Sequence, residues 1–123
     1  MQVRLITVIF KNIVKNDIID LDRNTIISLE VFGHSGLNKK GSDILCSAVS
    51  VLSQTFILTV ARILKIEQQL KQEDGYLSSH IDLTGLSSEN RVKLKLLFES
   101  LLIGLFEIDK EYPDKIKIEF VND

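Results

Sequence analysis

The sequence predicts a single α+β domain in which two helices pack against a mostly antiparallel sheet, in the order β-β-α-β-α-β. Runs rich in β-branched residues stand near both ends of the chain, and two longer stretches repeat apolar residues at three- and four-residue steps. With 123 residues, of which 45% are hydrophobic, the chain can build one core but is too short for two ordinary domains. We therefore expect residues 1–123 to form one domain.

The first two strands are predicted in the N-terminal third of the chain. Residues 3–10 form an apolar, β-branched run, and residues 25–32 form a second one. Residues 11–23 between them are polar and rich in Asn and Asp, but isolated aliphatic residues interrupt them. This segment predicts either a long hairpin connection or strand ends extended by a bulge.

The first predicted helix begins at Ser42 or Asp43, both of which are good helix caps. One of its faces carries an apolar stripe at three- and four-residue steps or their sums: Leu45, Val49, Leu52, Phe56 and Ile63. A different face groups Cys46 with Ser50, Ser53 and Gln54. The spacing therefore predicts that Cys46 lies off the centre of the core-facing stripe.

The second half of the chain predicts a strand, a helix and a last strand. After a polar break at residues 68–75, residues 76–83 alternate as a strand does. Ser87 or Ser88 opens a helix that runs to about residue 109, Pro113 prevents its continuation, and residues 115–121 alternate charged and apolar side chains. The main helical stripe is Leu94, Leu97, Leu101, Leu105 and Ile108, with Phe98, Leu102 and Phe106 beside it. Since this helix is apolar around more of its circumference than one sheet face needs, we expect a partner subunit to cover the rest.

Charge, cysteine content and hydropathy weigh against several classes of protein. Fifteen Lys and Arg against seventeen Asp and Glu give a net charge of −2, which disfavours direct nucleic-acid binding. The single cysteine cannot form an intramolecular disulfide and fits a reducing compartment. Residues 44–66 are apolar but include Arg62, Lys65 and several hydroxyl side chains, so we interpret them as a core helix rather than a membrane span. With no cleavage-site pattern near residue 1, we expect a cytoplasmic protein without membrane association.

Residues 31–52 hold the groups with the clearest chemical potential. Cys46 stands near the start of a predicted helix, whose free N–H groups and dipole stabilise a thiolate, and His34 stands at the end of the preceding strand. An imidazole close to a thiolate can lower its pKa and then protonate a leaving amine, and the helix N–H groups can hold an oxyanion. Ser50, one turn after Cys46, could bond the sulfur or a substrate, while Asp43 could orient His34 or cap the helix.

The residue types alone leave this chemistry open. A lone cysteine is most often a small buried apolar residue, and glycines can serve a turn only. Lys39 and Lys40 are typical of a solvated loop tip. His80, His34 and Cys46 lack the spacing of zinc ligands, so we expect no metal site, and the chain has neither a phosphate-binding loop nor a dinucleotide fingerprint.

A longer motif narrows the choice. Gly33-His34 is followed by Gly36, by Gly41 and by the run Asp43-Ile44-Leu45-Cys46-Ser47-Ala48-Val49-Ser50. This pattern closely resembles the signature of the ribosomal-processing cysteine protease family, Prp. In that family a Gly-His near a strand end precedes, by twelve positions, a Cys within an Asp-aliphatic-aliphatic-Cys-small-small segment that opens a helix. His34 and Cys46 are twelve positions apart.

The resemblance implies a specific function. Members of the family remove a short N-terminal extension from large-subunit ribosomal protein twenty-seven, in bacteria whose precursor carries one, and this removal supports ribosome assembly. They are small cytosolic homodimers without a metal or organic cofactor. By position, Cys46 would be the nucleophile and His34 the general base and acid, with Asp43 and Ser50 in supporting roles. The loop glycines would allow movement and a close approach of the substrate backbone: Gly33, Gly36 and Gly41.

Two departures from the family pattern are visible. Residues 11–23 are longer than the short turn expected between the family's first two strands, and Ser35 and Ser47 stand where Ala is more usual. Neither removes a group that the chemistry needs, so we expect a cysteine endopeptidase that acts on an extended peptide. The alternatives are a non-catalytic ribosome-associated binding module or assembly factor, and a thiol redox sensor in which Cys46 forms a mixed or intersubunit disulfide.

Overall fold

The structure, a computed structural model, describes residues 6–33 and 42–123. Its elements are, in chain order, β1 (Ile6–Lys11), β2 (Val14–Lys15), β3 (Ile18–Ile19), β4 (Ile26–Gly33), α1 (Ser42–Arg62), β5 (Gln69–Glu73), β6 (Tyr76–Asp82), α2 (Ser88–Glu111) and β7 (Ile116–Val121). The predicted α+β class is confirmed, because two long helices accompany a mostly antiparallel five-stranded sheet.

The main sheet has the strand order β5-β6-β4-β1-β7. Its neighbouring strands are antiparallel except for β7, which pairs parallel to β1. It follows that β4 and β5 run in the same direction, joined by α1, and that β6 and β7 do so as well, joined by α2. We call the end of the sheet at which β4 ends and β6 begins the Gly33 end. The opposite end, at which β6 ends and α2 begins, is the Arg91 end.

One face of the sheet forms the core together with both helices. Phe10 pairs across the sheet with Leu29, and these two side chains are almost completely buried. The Phe98 ring of α2 contacts Phe10 at 6.1 Å between ring centroids and Phe56 of α1 at 4.6 Å. The helical core residues include Leu45, Val49, Leu94 and Leu105. The helix layer thus lies on the face that carries Phe10 and Leu29, and the other face of the sheet is its outer face.

Residues 69–73 form a strand, so the prediction of a polar break across residues 68–75 was wrong. All five residues of β5, which is one of the two edge strands of the sheet, are exposed. An edge strand without a buried side carries no apolar alternation, which is why the pattern missed it. Asp74 and Gly75 form the turn into β6, and Gly75 has a positive φ of 74°.

The segment between the first two long strands is a small hairpin of its own. Val14 pairs with Ile19 and Lys15 with Ile18, and the turn residues Asn16 and Asp17 have positive φ values of 53° and 63°. Two consecutive residues with positive φ are what a tight two-residue hairpin requires. Of the two predictions for residues 11–23, the hairpin connection is therefore the correct one.

The predicted apolar stripes of the helices are buried or partly buried except at Ile63 and Phe106. On α1, Leu45, Val49 and Phe56 are buried and Leu52 is half-buried, but Ile63 is 73% exposed. The helix ends at Arg62 and the chain turns at Lys65, which has a φ of 55°, so Ile63 lies outside the helical pattern. The buried residues of α2 are Leu94, Phe98, Leu101, Leu102 and Leu105, with Leu97 and Ile108 partly buried and Phe106 exposed.

Candidate active site

The Gly33 end of the sheet brings the start of α1 close to the end of β4. The backbone N–H of Gly33 donates to the carbonyl of Gly75 at 3.1 Å, which ties β4 to the turn between β5 and β6. β5, which follows α1, begins opposite His80 near the Arg91 end. Since β4, which precedes α1, ends at the Gly33 end, α1 runs from the Gly33 end to the Arg91 end. The first turn of α1 therefore lies at the end of the sheet where the predicted catalytic loop starts.

Cys46 occupies the fifth position of α1 and is half-buried against the core. Its neighbour Leu45 is 1% exposed, whereas Ser47 and Ser50 lie on the solvent side. The sulfur thus belongs to the border between the buried stripe and the surface, as the spacing predicted. Ser53, which the sequence grouped with Cys46, is buried instead.

The other predicted site residues are covered to different extents. Gly33 is the last residue of β4, and Asp43 is the second residue of α1. His34, Gly36 and Gly41 lie outside the described residues.

An aromatic pair at the Gly33 end of the sheet was not predicted from the sequence. Phe32 on β4 pairs with Tyr76 on β6, and their rings stack on the outer face of the sheet at 6.5 Å with an angle of 24° between planes. The Tyr76 hydroxyl donates to Oε1 of Glu30 at 3.2 Å. Two features of the sequence could have predicted the pair. Phe32 directly precedes Gly33-His34, and Tyr76 directly follows an Asp-Gly pair, which is a common hairpin turn.

His80 belongs to a different part of the molecule. It lies in β6 near the Arg91 end and lines an open groove of about 540 Å³ together with Ile26, Glu67, Gln68, Gln69 and Asp82. In residues 6–33 and 42–123, no group of three His, Cys, Asp or Glu side chains is arranged to hold a metal ion. The pKa of the Asp82 carboxyl is held below its usual value mainly by the backbone N–H of Thr84, so this perturbed acid also stands away from Cys46.

Comparison with known proteins identifies the family. The sequence profile of the family described as cysteine protease Prp matches residues 13–117. The ribosomal processing cysteine protease Prp of Bacillus subtilis (strain 168) is 26% identical over 95 residues, which cover 76% of this chain and 84% of that protein.

Solved structures give the same answer for the fold. SMU.848 from Streptococcus mutans superimposes with a TM-score of 0.68 and 25% identity, covering 98% of this chain and 97% of that one. The essential ribosomal processing protease Prp from S. aureus, solved in complex with a substrate peptide, gives a TM-score of 0.70 at 17% identity, covering 94% of this chain and 99% of that one. With the profile matching most of the sequence, the chain belongs to the Prp family of cysteine proteases.

Proposed function

We propose that this chain is a cysteine endopeptidase that removes the short N-terminal extension of large-subunit ribosomal protein twenty-seven. The observation that carries the proposal is the place of Cys46: half-buried, in the first turns of α1, at the end of the sheet from which the Gly33-His34 segment departs. The B. subtilis relative named for ribosomal processing supports this choice of substrate.

The proposed mechanism uses Cys46 as nucleophile and His34 as base and acid. The Cys46 thiolate attacks the scissile carbonyl carbon, and the helix N–H groups at the start of α1 stabilise the resulting oxyanion. The C–N bond then breaks, His34 protonates the departing amine, and a thioester remains on the sulfur. His34 next takes a proton from water, whose oxygen attacks the thioester, and the C–S bond breaks to release the new carboxyl end and restore the Cys46 thiolate beside protonated His34.

Asp43 and Ser50 fill supporting roles in this proposal. Ser50 follows Cys46 by four residues, so the two side chains project from neighbouring turns on the same side of α1. Its hydroxyl is exposed to solvent, where it can bond a bound peptide or the sulfur. Asp43 precedes Cys46 by three residues and is assigned to orient His34.

We also propose that the protein acts as a cytoplasmic homodimer whose copies meet through the helix layer. Apolar side chains stand exposed at seven-residue steps along α1, namely Ile44, Val51 and Leu58. The exposed apolar residues of α2 are Val92, Leu96, Ile103 and Phe106. The two helices approach closely where Gly104 meets Leu52, so these residues belong to adjoining surfaces. A patch of this extent is typical of an interface, and a second copy offers a matching apolar face.

Peptide cleavage tests the enzymatic proposal directly. A synthetic peptide that spans the extension junction of the host's ribosomal precursor is incubated with wild type, Cys46→Ala and His34→Ala, and the products are weighed by mass spectrometry. We expect one cleaved bond with wild type and a loss of at least about a thousandfold in kcat/KM in each variant, since nucleophile and base act as a unit. Ser47→Ala, which changes an exposed hydroxyl beside Cys46, is the matched control and should retain activity.

The same experiment separates the alternative functions. A peptide that binds but stays intact with wild type would remove the protease assignment for this substrate and favour a binding module. A redox sensor would form a disulfide at Cys46 under oxidant without releasing any peptide product. For the dimer, Ile103→Glu should shift the sedimentation coefficient to that of a monomer, while Ile26→Glu on the outer face of the sheet should leave it unchanged.

A further inference from the structure

We propose that the free edge of β7 pairs with β7 of a second copy of this chain, antiparallel and about a two-fold axis at Ile118. β7 is an edge strand of the main sheet, because it pairs with β1 on one side and, within residues 6–33 and 42–123, with no strand on the other. An unpaired edge presents a row of N–H and C=O groups that another strand can bond. This pairing does not depend on the proposed protease activity.

Every second residue of β7 turns its backbone groups to the free edge. The N–H of Ile6 donates to the carbonyl of Lys115 at 3.3 Å, and the N–H of Asn12 donates to that of Val121 at 2.8 Å. Because β1 and β7 keep one register between these points, the odd-numbered residues of β7 bond β1. Neighbouring residues of a strand direct their backbone groups to opposite sides. The free edge therefore presents the N–H and C=O groups of the even-numbered residues: Ile116, Ile118 and Phe120.

The same three residues match those of a second copy. With the two-fold axis at Ile118, this residue lies opposite its own counterpart, and Ile116 lies opposite Phe120 of the second copy. Each opposed pair can then exchange two hydrogen bonds, as in a regular antiparallel ladder. The side chains of these residues lie on the helix side of the sheet, where Phe120 is 42% exposed and stacks on Phe10 at 5.5 Å between ring centroids. Pairing places Ile116 of the second copy beside this exposed ring.

The charges on the outer face of β7 fit the same register. Lys117 and Glu119 form an ion pair within one strand. Around an axis at Ile118, Lys117 of each copy lies opposite Glu119 of the other, so the four charges alternate in sign and attract one another. An axis at Lys117 or at Glu119 would instead place like charges opposite each other and repel the second strand. The charges therefore select the register that the backbone groups allow.

The other edge strand lacks this combination. β5 also carries a Lys and a Glu two residues apart, and Lys71 and Glu73 form an ion pair at 3.8 Å. The β5 side chains on the helix side of the sheet, however, are those of Leu70 and Gln72. Pairing through β5 would bring together one aliphatic side chain from each copy, against three apolar side chains from each copy in β7. β5 therefore provides the matched control.

Edge pairing should be weak and should add to the proposed helix-layer dimer. Two strands of six residues bury less than the roughly 1,600 Å² of a standard interface, so we expect association in concentrated solution and separation on dilution. β7 lies at the side of the sheet, whereas the exposed apolar residues of α1 and α2 lie on the helix layer, so both contacts can form at once. In dilute solution, the Ile103→Glu variant should make neither contact.

Sedimentation velocity across a dilution series tests the pairing. We expect the weight-average sedimentation coefficient of wild type to rise with concentration. Lys117→Glu and Glu119→Lys should each raise the dissociation constant of this step by at least about tenfold, since like charges then oppose each other twice. An equimolar mixture of the two variants should recover the association, because each supplies the charge that the other lacks. Lys71→Glu, on β5, should behave as wild type does.

The mixture separates a contact between two strands from an effect within one strand. Lys117→Glu and Glu119→Lys both lose the ion pair within β7, and mixing cannot restore that pair inside either chain. Wild type without a rise, single variants with an equal rise, or a mixture without association would each overturn the inference. Loss of the rise in Lys71→Glu would overturn it too, because the contact would then involve β5.

Disulfide formation checks the register without relying on charge. Lys117→Cys and Glu119→Cys are prepared separately, each together with Cys46→Ala, and are oxidised alone and as a mixture. Directly opposed residues without mutual backbone bonds have Cα atoms about 4.5 Å apart, within reach of a disulfide, so the mixture should give a cross-linked dimer. Each variant alone should not, because identical positions then lie diagonally, about 7–8 Å apart. Equal cross-linking in all three samples, or none in the mixture, would exclude the axis at Ile118.

Discussion

The two ends of the sheet are built in opposite ways. At the Arg91 end, one guanidinium donates five hydrogen bonds to the described part of the chain, and Asn12 and Arg23 add further bonds to backbone carbonyls. At the Gly33 end, the described contacts between β4 and β6 beyond the strand pairing are one backbone bond, one bond from Tyr76 and a ring stack. At the Arg91 end, the guanidinium joins two loops to α2, and the Gly33 end carries the proposed active site.

In the proposed enzyme, this division leaves the Gly33 end to contact a peptide while the Arg91 end holds the fold together. The carbonyl of Leu21 belongs to the segment before β4, those of Leu83 and Leu86 belong to the loop between β6 and α2, and Arg91 satisfies all three from the first turn of α2. A planar donor with five N–H groups on three nitrogens suits this task, because the three N–H groups of a lysine all sit on one nitrogen and cannot bond five acceptors. The comparison predicts that substitutions at the Arg91 end change stability and leave catalysis per folded molecule intact.

Arg91→Met should give the largest change in stability. It removes every bond of the guanidinium and leaves partly buried carbonyls without their donor, so the free energy of unfolding should fall by about 3 kcal/mol or more. Urea denaturation followed by circular dichroism measures this change, and kcat/KM at low temperature should equal that of wild type. A similar fall in kcat/KM at full folding would show that the two ends are coupled.

Arg91→Lys is the matched control for that experiment. It preserves the positive charge but provides one ammonium in place of the fork, so it should recover less than half of the lost stability. Full recovery would mean that charge, and not the geometry of the five bonds, holds the loops.

Asn12→Ala should have the next largest effect. Asn12 has a positive φ of 61°, its Nδ2 donates to the Ile26 carbonyl, and its Oδ1 accepts from the backbone N–H of Asp123. Ala loses these two bonds and the bond from Nδ2 to Oδ2 of Asp123, and it tolerates this backbone conformation poorly, so we expect a loss of about 2 kcal/mol in the free energy of unfolding. Asn12→Gly also lacks the side-chain bonds but adopts a positive φ without strain, so its free energy of unfolding should fall less than that of Asn12→Ala. Equal losses in the two variants would show that the backbone conformation contributes nothing.

Helices and strands with one buried face could be predicted from the sequence, whereas a strand with no buried face could not. The stripes of α1 and α2 were visible because Leu45, Val49 or Leu94 face the core, whereas β5 has no buried residue to reveal it. Arg91 could not be predicted, because four of its five partners are backbone carbonyls, which every residue type carries and which no sequence pattern therefore identifies. The candidate site was predicted from the motif around Cys46. A reactive side chain can be identified from its residue type, whereas the partners of a packing contact are known only once the fold is known.

Ser53→Ala should raise stability slightly. The Ser53 hydroxyl is buried in the middle of α1 and has no hydrogen-bond partner among residues 6–33 and 42–123. Ala removes that unsatisfied group and is a better helix former, so we expect a gain of about 1 kcal/mol in the free energy of unfolding, read from thermal or urea denaturation. Peptide cleavage should be unchanged, because Ser53 lies two turns beyond Cys46. Lower stability would mean that the hydroxyl has a partner, such as water, that Ala cannot replace.

Asp82→Asn should give the smallest effect, visible mainly as a change in pH dependence. The backbone N–H of Thr84 and then its side chain hold the pKa of Asp82 below the ordinary value of 3.8. A carboxyl whose pKa is lower in the folded than in the unfolded chain stabilises the fold above the unfolded pKa, and this stabilisation disappears as pH falls through the folded pKa. The free energy of unfolding should therefore decline less steeply from pH 5 to about pH 3 in Asp82→Asn than in wild type. Thr84→Val, which retains the backbone N–H but removes the hydroxyl, should keep most of the wild-type slope. If it removes the slope as completely as Asp82→Asn does, the hydroxyl and not the backbone is what sets the acid's pKa at this end of the sheet.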